Sequence, residues 1–310
     1  MKKVKINTFD FKDLPYYVII EIISYYKHEF KQEYKPIKLF GKFNLDRSKK
    51  GFLIFKCISI KDILQPIDKH NLPLKITGLE VRGCYQFKGD NLPESITSLK
   101  VWRCYNFKGD NLPVLITRLN VNNCNKFVGD NLPESITSLI VWECDNFIGN
   151  NLPKLITSLE VRICDNFIGD KLPESIKRLN VRICFPFIGD KLPKSITSLE
   201  VGICDNFIGD KLPESMSSLE VRYCFPFKGD NLPESITSLK VVGCNKFIGD
   251  SLPKLITSLK LVGCIQFIGD SLPKLITSLK VGNCDNFIGD KLPESITILV
   301  VHFCNNFIEN

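Results

Sequence analysis

Asn91-Leu92-Pro93-Glu94-Ser95-Ile96-Thr97-Ser98-Leu99-Lys100-Val101-Trp102-Arg103-Cys104 is one copy of a unit that recurs, with the next copy opening at Asn111-Leu112-Pro113 and the one after at Asn131-Leu132-Pro133. The pattern begins at Asn71–Leu72–Pro73 and continues to the last residues of the 310-residue chain. Twelve cysteines, from Cys84 to Cys304, mark it, and a phenylalanine follows each one at the third position, from Phe87 to Phe307. Twelve Leu-Pro pairs run in step, from Leu72–Pro73 to Leu292–Pro293. A fixed period of this length is the signature of a solenoid, in which each unit contacts mainly its neighbours.

The chemistry inside one unit says how it folds. Leu99 and Val101 alternate with polar neighbours, so Ser98–Trp102 is predicted to be a strand with those two side chains inward. Ser98, Lys100 and Trp102 then face outward. Gly109-Asp110-Asn111 reads as a turn, with Asp110 able to bond its own backbone. Pro113 has no N–H to offer a ladder, so the return path is expected to be irregular, and so short a unit leaves no room for a long helix. Phe107 is expected to stack on the phenylalanines of the neighbouring units. A lone unit cannot bury these groups. Ordering it costs on the order of 30 kcal/mol of conformational entropy, so stability must come from stacking.

Ile96-x-x-Leu99-x-Val101-x-x-Cys104 is similar to the general leucine-rich pattern at every position. The combination Leu-Pro-x-Ser-Ile-Thr-Ser-Leu, with Asp145–Asn146–Phe147–Ile148 as the nearest thing to a Phe-Asn turn, resembles the FNIP repeats found in amoebae and in giant viruses that infect them. The resemblance covers residues 72–310. The fold class that follows is a solenoid of about twelve 20-residue leucine-rich-type repeats. A parallel β-sheet would line its concave face, the convex side would be irregular, and a small N-terminal helical segment would cap it. Phe55, Ile58, Ile60 and Ile63 echo the core. Ile58 and Ile60 precede Leu79 and Val81 by close to one period, so 51–71 reads as a degenerate capping repeat. Cys57 has no place in the cysteine ladder.

Residues 1–50 differ in character. Asp13 can cap a helix whose first turn contains Pro15, and Val18, Ile19, Ile22, Ile23 and Tyr26 follow on one face. Pro36 interrupts any second helix. The run Leu14-Pro15-x-x-Val18-x-x-x-Ile22-Ile23-Ser24-Tyr25 resembles the first helix of an F-box. That resemblance implies docking, through Leu14, Pro15, Val18, Ile22 and Ile23, to a Skp-type adaptor of a cullin–RING ubiquitin ligase. Without it, the same helix is an amphipathic cap over the first repeat.

Charge narrows the partners. The segment 1–71 carries the whole formal net charge of +7, and the array 72–310 is neutral. A neutral array argues against a nucleic-acid cradle, because phosphate binding is mostly counterion release onto Lys and Arg. No run of apolar residues is long enough to span a membrane. No secretory signal is read at the N-terminus, so the 13 cysteines are expected to be reduced thiols in the cytoplasm, the host's cytoplasm if the source is viral.

Several patterns that could carry chemistry have plainer explanations. The cysteine ladder repeats one residue in every rung, as a packing position does, and has no Cys-x-x-Cys spacing. The aspartate column from Asp90 to Asp290 supplies one carboxylate per repeat, whereas calcium needs about six to eight oxygens. His28, His70 and His302 stand apart, with no nucleophile or carboxylate constellation around them. No catalytic residue, metal site or cofactor is expected.

What varies is the outward strand face. The position after the inner valine holds Trp102, Trp142, Arg162, Arg182 and Arg222. The position before it holds Glu160, Glu200 and Glu220, and later Lys240, Lys260 and Lys280. Trp and Arg are among the commonest hot-spot residues of interfaces. Arg and Glu can also simply pair across strands to keep a face soluble. The expectation is a non-enzymatic module that binds a protein target on this face, acting as substrate receptor of a Skp–cullin–F-box-type ligase. The alternative is a plain repeat scaffold with no ligase link.

Overall fold

The computed structural model describes residues 76–308, together with Ile67, Lys69, Leu72 and the backbone of two further strands at 37–40 and 57–61. The chain divides into two compact units, Met1–Lys126 and Phe127–Asn310.

The first unit carries β1 (Ile37–Phe40), β2 (Cys57–Lys61), β3 (Gly78–Arg82), β4 (Ser98–Trp102) and β5 (Arg118–Asn122). Each pairs in parallel with the next. The strand read from the repeat, Ser98–Trp102, is β4 to the residue. On β2, Ile58 and Ile60 register with Leu79 and Val81 of β3. Cys57 registers with Gly78, the first strand position, which is why it stands outside the cysteine ladder. Within the segment 1–50 only β1 is described, and there the backbone is extended and paired with β2. The apolar residues of Ile37-Lys-Leu-Phe40 alternate with period two at Ile37 and Leu39, as a strand requires. The first-helix residues Leu14, Pro15, Val18, Ile22 and Ile23 lie outside the described residues.

The second unit carries β6 (Ser138–Trp142), β7 (Ser158–Arg162), β8 (Arg178–Arg182), β9 (Ser198–Gly202), β10 (Ser218–Arg222), β11 (Ser238–Val242), β12 (Ser258–Val262), β13 (Ser278–Gly282) and β14 (Ile298–His302). Consecutive strands are again parallel, with identical repeat positions in register, as Leu219 with Leu239 and Val221 with Val241. Both units are therefore parallel β-solenoids, and the turns between strands contain no helix among the described residues.

The interior is built from positions that recur rung after rung. In β8's rung, Ile176, Leu179, Val181, Cys184 and Phe187 are all buried. Phe187 lies 6.0 Å, ring centre to ring centre, from both Phe167 and Phe207, with the planes 11° apart. In the first unit Phe107 stacks on Phe87 at 5.7 Å. Tight turns place these rings. The Phe187 N–H donates to Cys184 O at 3.1 Å, and the Ile196 N–H to Pro193 O at 3.2 Å. Gly189 adopts φ +80°, and a Cβ there would sit 2.9 Å from the Phe207 ring. Glycine is needed twice over, for the left-handed backbone and for the close approach of the next ring.

Polar columns fasten rung to rung. Ser175 Oγ donates to Ile156 O at 2.6 Å, and Thr157 N–H to Thr137 O at 2.9 Å. The aspartate column reaches forward to the next rung. Asp170 takes an ion pair from Lys191 at 2.8 Å, and Asp190 one from Lys211 at 3.2 Å.

Candidate functional site

The alternation that buries Leu and Val in each strand leaves the intervening side chains outside. In the first unit, Trp102 is exposed and the Arg82 guanidinium lies 4.5 Å over its ring. Arg82 also pairs through Nε with Glu80 on its own strand. Asn122, in register with Trp102, is buried.

In the second unit, Trp142 is exposed and Arg162 stands 5.9 Å from its ring centre, at the edge of cation–π range. Arg162 Nε lies 2.6 Å from Glu160 Oε1, yet that nitrogen makes no aligned hydrogen bond. The contact is thus an ion pair held by charge alone. Glu200 is a hub. It accepts from Asn180 Nδ2 at 2.6 Å, pairs with Arg182 Nη2, and lies 3.6 Å from Arg222 Nε. Arg222 also pairs with Glu220, which lies 3.1 Å from Lys240 Nζ.

Gly202 is in register between Arg182 and Arg222, the two arginines that approach Glu200. A Cβ on Gly202 would meet Arg182 Cγ at 3.5 Å and Arg222 Cβ at 3.7 Å. The structure therefore brings Glu160 to Arg162, and Glu200 and Glu220 to Arg182 and Arg222. The network ends at Lys240. Beyond it, β12 and β13 carry Lys260 and Lys280, both exposed, and no acidic residue.

A second outward row flanks this face and was not singled out from the sequence. It is the residue just before each ladder cysteine, held in the left-handed region. In the second unit it includes Ile163, Ile183, Ile203 and Tyr223, with φ between 51° and 54°. Each donates its N–H to the next rung, as Ile183 does to Gly202 O at 2.8 Å. Column-by-column comparison of the repeats would have exposed it, because that column holds both glycines and isoleucines.

The cysteines face the interior. Each thiol lies near the carbonyl two positions back, as Cys164 Sγ does to Arg162 O at 3.3 Å. Burial pushes Cys104, Cys164 and Cys224 up to about 12, and Cys124, Cys204 and Cys244 up to about 11. None of the ladder cysteines forms a disulfide. Among the described residues no group of three His, Cys, Asp or Glu side chains could hold a metal ion. Nor is any helix among them long and apolar enough to cross a membrane. A depression of about 660 Å³ in the first unit is lined by turn residues, among them Asp90, Asn91, Glu94 and Asn111.

No family model matches the chain, and no curated protein matches it. Neither the FNIP nor the F-box resemblance gains support from that side. Among solved structures, CroV588, described as a novel circular LRR protein, is similar at 23% identity and a TM-score of 0.50. The match covers 82% of this chain and 50% of that one, so this chain spans about half its length. YopM, a leucine-rich effector protein from Yersinia pestis, matches at 17% identity with a TM-score of 0.37, over 74% of this chain and 84% of that one. The likeness to CroV588 gives the fold, a leucine-rich-repeat-type solenoid.

Proposed function

We propose that this chain is a non-enzymatic protein-interaction module that takes a protein target on its exposed strand face. One observation carries the reading. The inward positions hardly change from rung to rung, while the outward ones range over Trp, Arg, Glu, Asn, Lys and Gly. A face that served only solubility would have no use for Trp102 and Trp142, left exposed and each approached by an arginine. Trp with Arg is the composition of an interface anchor.

The test is to compare the proteins retained by the full chain with those retained by Trp102→Ala/Trp142→Ala. The two substitutions remove side chains that fill no core position, so circular dichroism should be unchanged. A set of proteins lost from the variant supports the reading. Identical retention by both chains, or none by either, removes it.

A finer role rests on the N-terminal resemblance. Leu14, Pro15, Val18, Ile22 and Ile23 would dock a Skp-type adaptor, and the chain would hold its target near a cullin ligase without doing chemistry. Co-purification of a Skp-type adaptor with the full chain, and its loss in Leu14→Ala/Ile22→Asp, is the expected outcome. Failure of the folded full chain to retain an adaptor leaves the interaction module without the ligase link.

A further inference from the structure

The residue before each ladder cysteine adopts a left-handed backbone, and parts of the chain meet what that demands. Gly83, Asn123, Gly243, Gly263 and Asn283 all occupy this column. Glycine and asparagine tolerate the conformation, whereas a β-branched side chain is strained there. Arg103, Glu143 and Phe303, also in the column, at least lack a branch at Cβ. Yet three consecutive rungs carry isoleucine. Ile163, Ile183 and Ile203 adopt φ of 52°, 54° and 54°, and Tyr223 follows at 51°.

The rung-to-rung hydrogen bond does not require these residues. Gly243 donates its N–H to Val262 O at 2.7 Å, much as Ile183 donates to Gly202 O at 2.8 Å. Core packing does not require them either. Ile163 and Ile183 are half-buried, and Ile203 and Tyr223 are 41% and 48% exposed. Four bulky apolar groups are thus kept at the surface against the local preference of the backbone. Strain of this kind, held where neither ladder nor core needs it, points to recognition.

The charges beside the ridge are uneven. Glu160, Glu200 and Glu220 are engaged by arginines and by Lys240. Lys260 and Lys280 continue the mid-strand row past the ridge with no carboxylate on their own strands. On the ridge side Asp165 and Asp205 alternate with the exposed Phe185 and Phe225, so a partner's carboxylates are repelled there and drawn to the lysines.

We propose that Ile163, Ile183, Ile203 and Tyr223, with Lys260 and Lys280, form the docking strip for an amphipathic helical segment of a protein, acidic at the end that continues past its apolar stripe. This rests on the protein-interaction reading above and adds the partner's chemistry. Spacing favours a helix. Three rung steps cover about 14 Å, close to the ~16 Å of three helical turns, so one apolar side chain per turn meets one rung. An extended strand offers one side chain to a face every ~6.8 Å and loses register by the fourth rung.

The experiment is a selection of displayed random peptides, long enough for about six helical turns, on the full chain, followed by affinity measurements on the selected peptides. Enriched peptides should carry apolar residues at helical spacing and an excess of Asp and Glu. Their affinity should fall at least tenfold with Ile183→Asn/Ile203→Asn and with Lys260→Glu/Lys280→Glu, and stay unchanged with Lys171→Ala on an exposed turn. Asparagine already occupies the column at Asn123 and Asn283, so the first variant should fold, with a raised melting temperature as its strain is relieved. Peptides that lack acidic residues or bind both variants as tightly would overturn the strip while leaving a protein-binding face elsewhere. Absence of any selected peptide would overturn the strip, and the Trp102→Ala/Trp142→Ala comparison above decides the interaction reading separately. Sedimentation with phosphatidylserine vesicles in place of peptide binding would make the strip a membrane surface and overturn the proposal.

Discussion

At the scale of the residue, the two kinds of left-handed position in one repeat make opposite demands. Gly189 lies at φ +80° with the Phe207 ring 2.9 Å from where a Cβ would stand. Gly189→Ala should destabilise the chain by about 1–3 kcal/mol, from backbone strain and a displaced ring together, read as a shift of the urea midpoint. Gly202→Ala is the control. Its φ is ordinary and its nearest neighbour would be 3.5 Å away, so stability should change by less than about 0.5 kcal/mol. The cysteines give a pH prediction. Burial raises the folded pKa of Cys104, Cys164 and Cys224 from 9.0 to about 12, so the folded state holds protons that the unfolded state releases. Stability from these thiols is fully present below pH 9, falls above it, and is lost as pH passes the folded values. Each such thiol removes up to about 1.4 kcal/mol per pH unit in that window. The melting temperature should therefore drop steeply between pH 9 and 11. At pH 8 the buried thiols should resist alkylation until the chain is unfolded by urea.

At the scale of the element, the phenylalanine stack is the contact that one rung offers the next. Phe187 touches rings on both sides at 6.0 Å. Phe187→Ala should cost about 3–5 kcal/mol, the upper range for a buried aromatic. Because each rung contacts mainly its neighbours, hydrogen exchange should accelerate across β7–β9 and much less at β13. This level was the most legible in the sequence. Leu99 and Val101 set the inward parity, the Leu-Pro and Gly-Asp-Asn turns set the period, and β4 fell on Ser98–Trp102. Ile58 and Ile60 register with Leu79 and Val81, the positions whose alternation they share. The left-handed isoleucines show only when the repeats are aligned, where their column also holds glycines; along the chain, an apolar residue beside a strand looks like any other until its φ is known. The sharing of Glu200 by Arg182 and Arg222 was hidden as well. Arg182 reaches a carboxylate on the following strand and Arg222 one on its own strand and one on the preceding strand, a choice of rotamer that residue order does not encode.

At the scale of the whole molecule, the division of labour is between an interior that repeats and an outward face that does not. The interior accounts for the fold, and the CroV588 likeness agrees with it. The outward strand positions, with Trp102 in the first unit and Trp142, the Arg/Glu network and the lysine row in the second, carry the proposed function. If the lysine row steers an acidic partner, association should slow as salt rises from about 50 to 500 mM, with the dissociation rate much less affected. The most direct measurement is site-specific photo-crosslinking of the full chain in its native lysate. A benzophenone side chain would replace Ile140, outward on the same strand as Trp142, with Lys171 on a turn as reference. Crosslinks to a defined protein set from position 140 and not from position 171 are the predicted result. Equal labelling from both positions, or labelling from the turn alone, would contradict the assignment of function to the strand face.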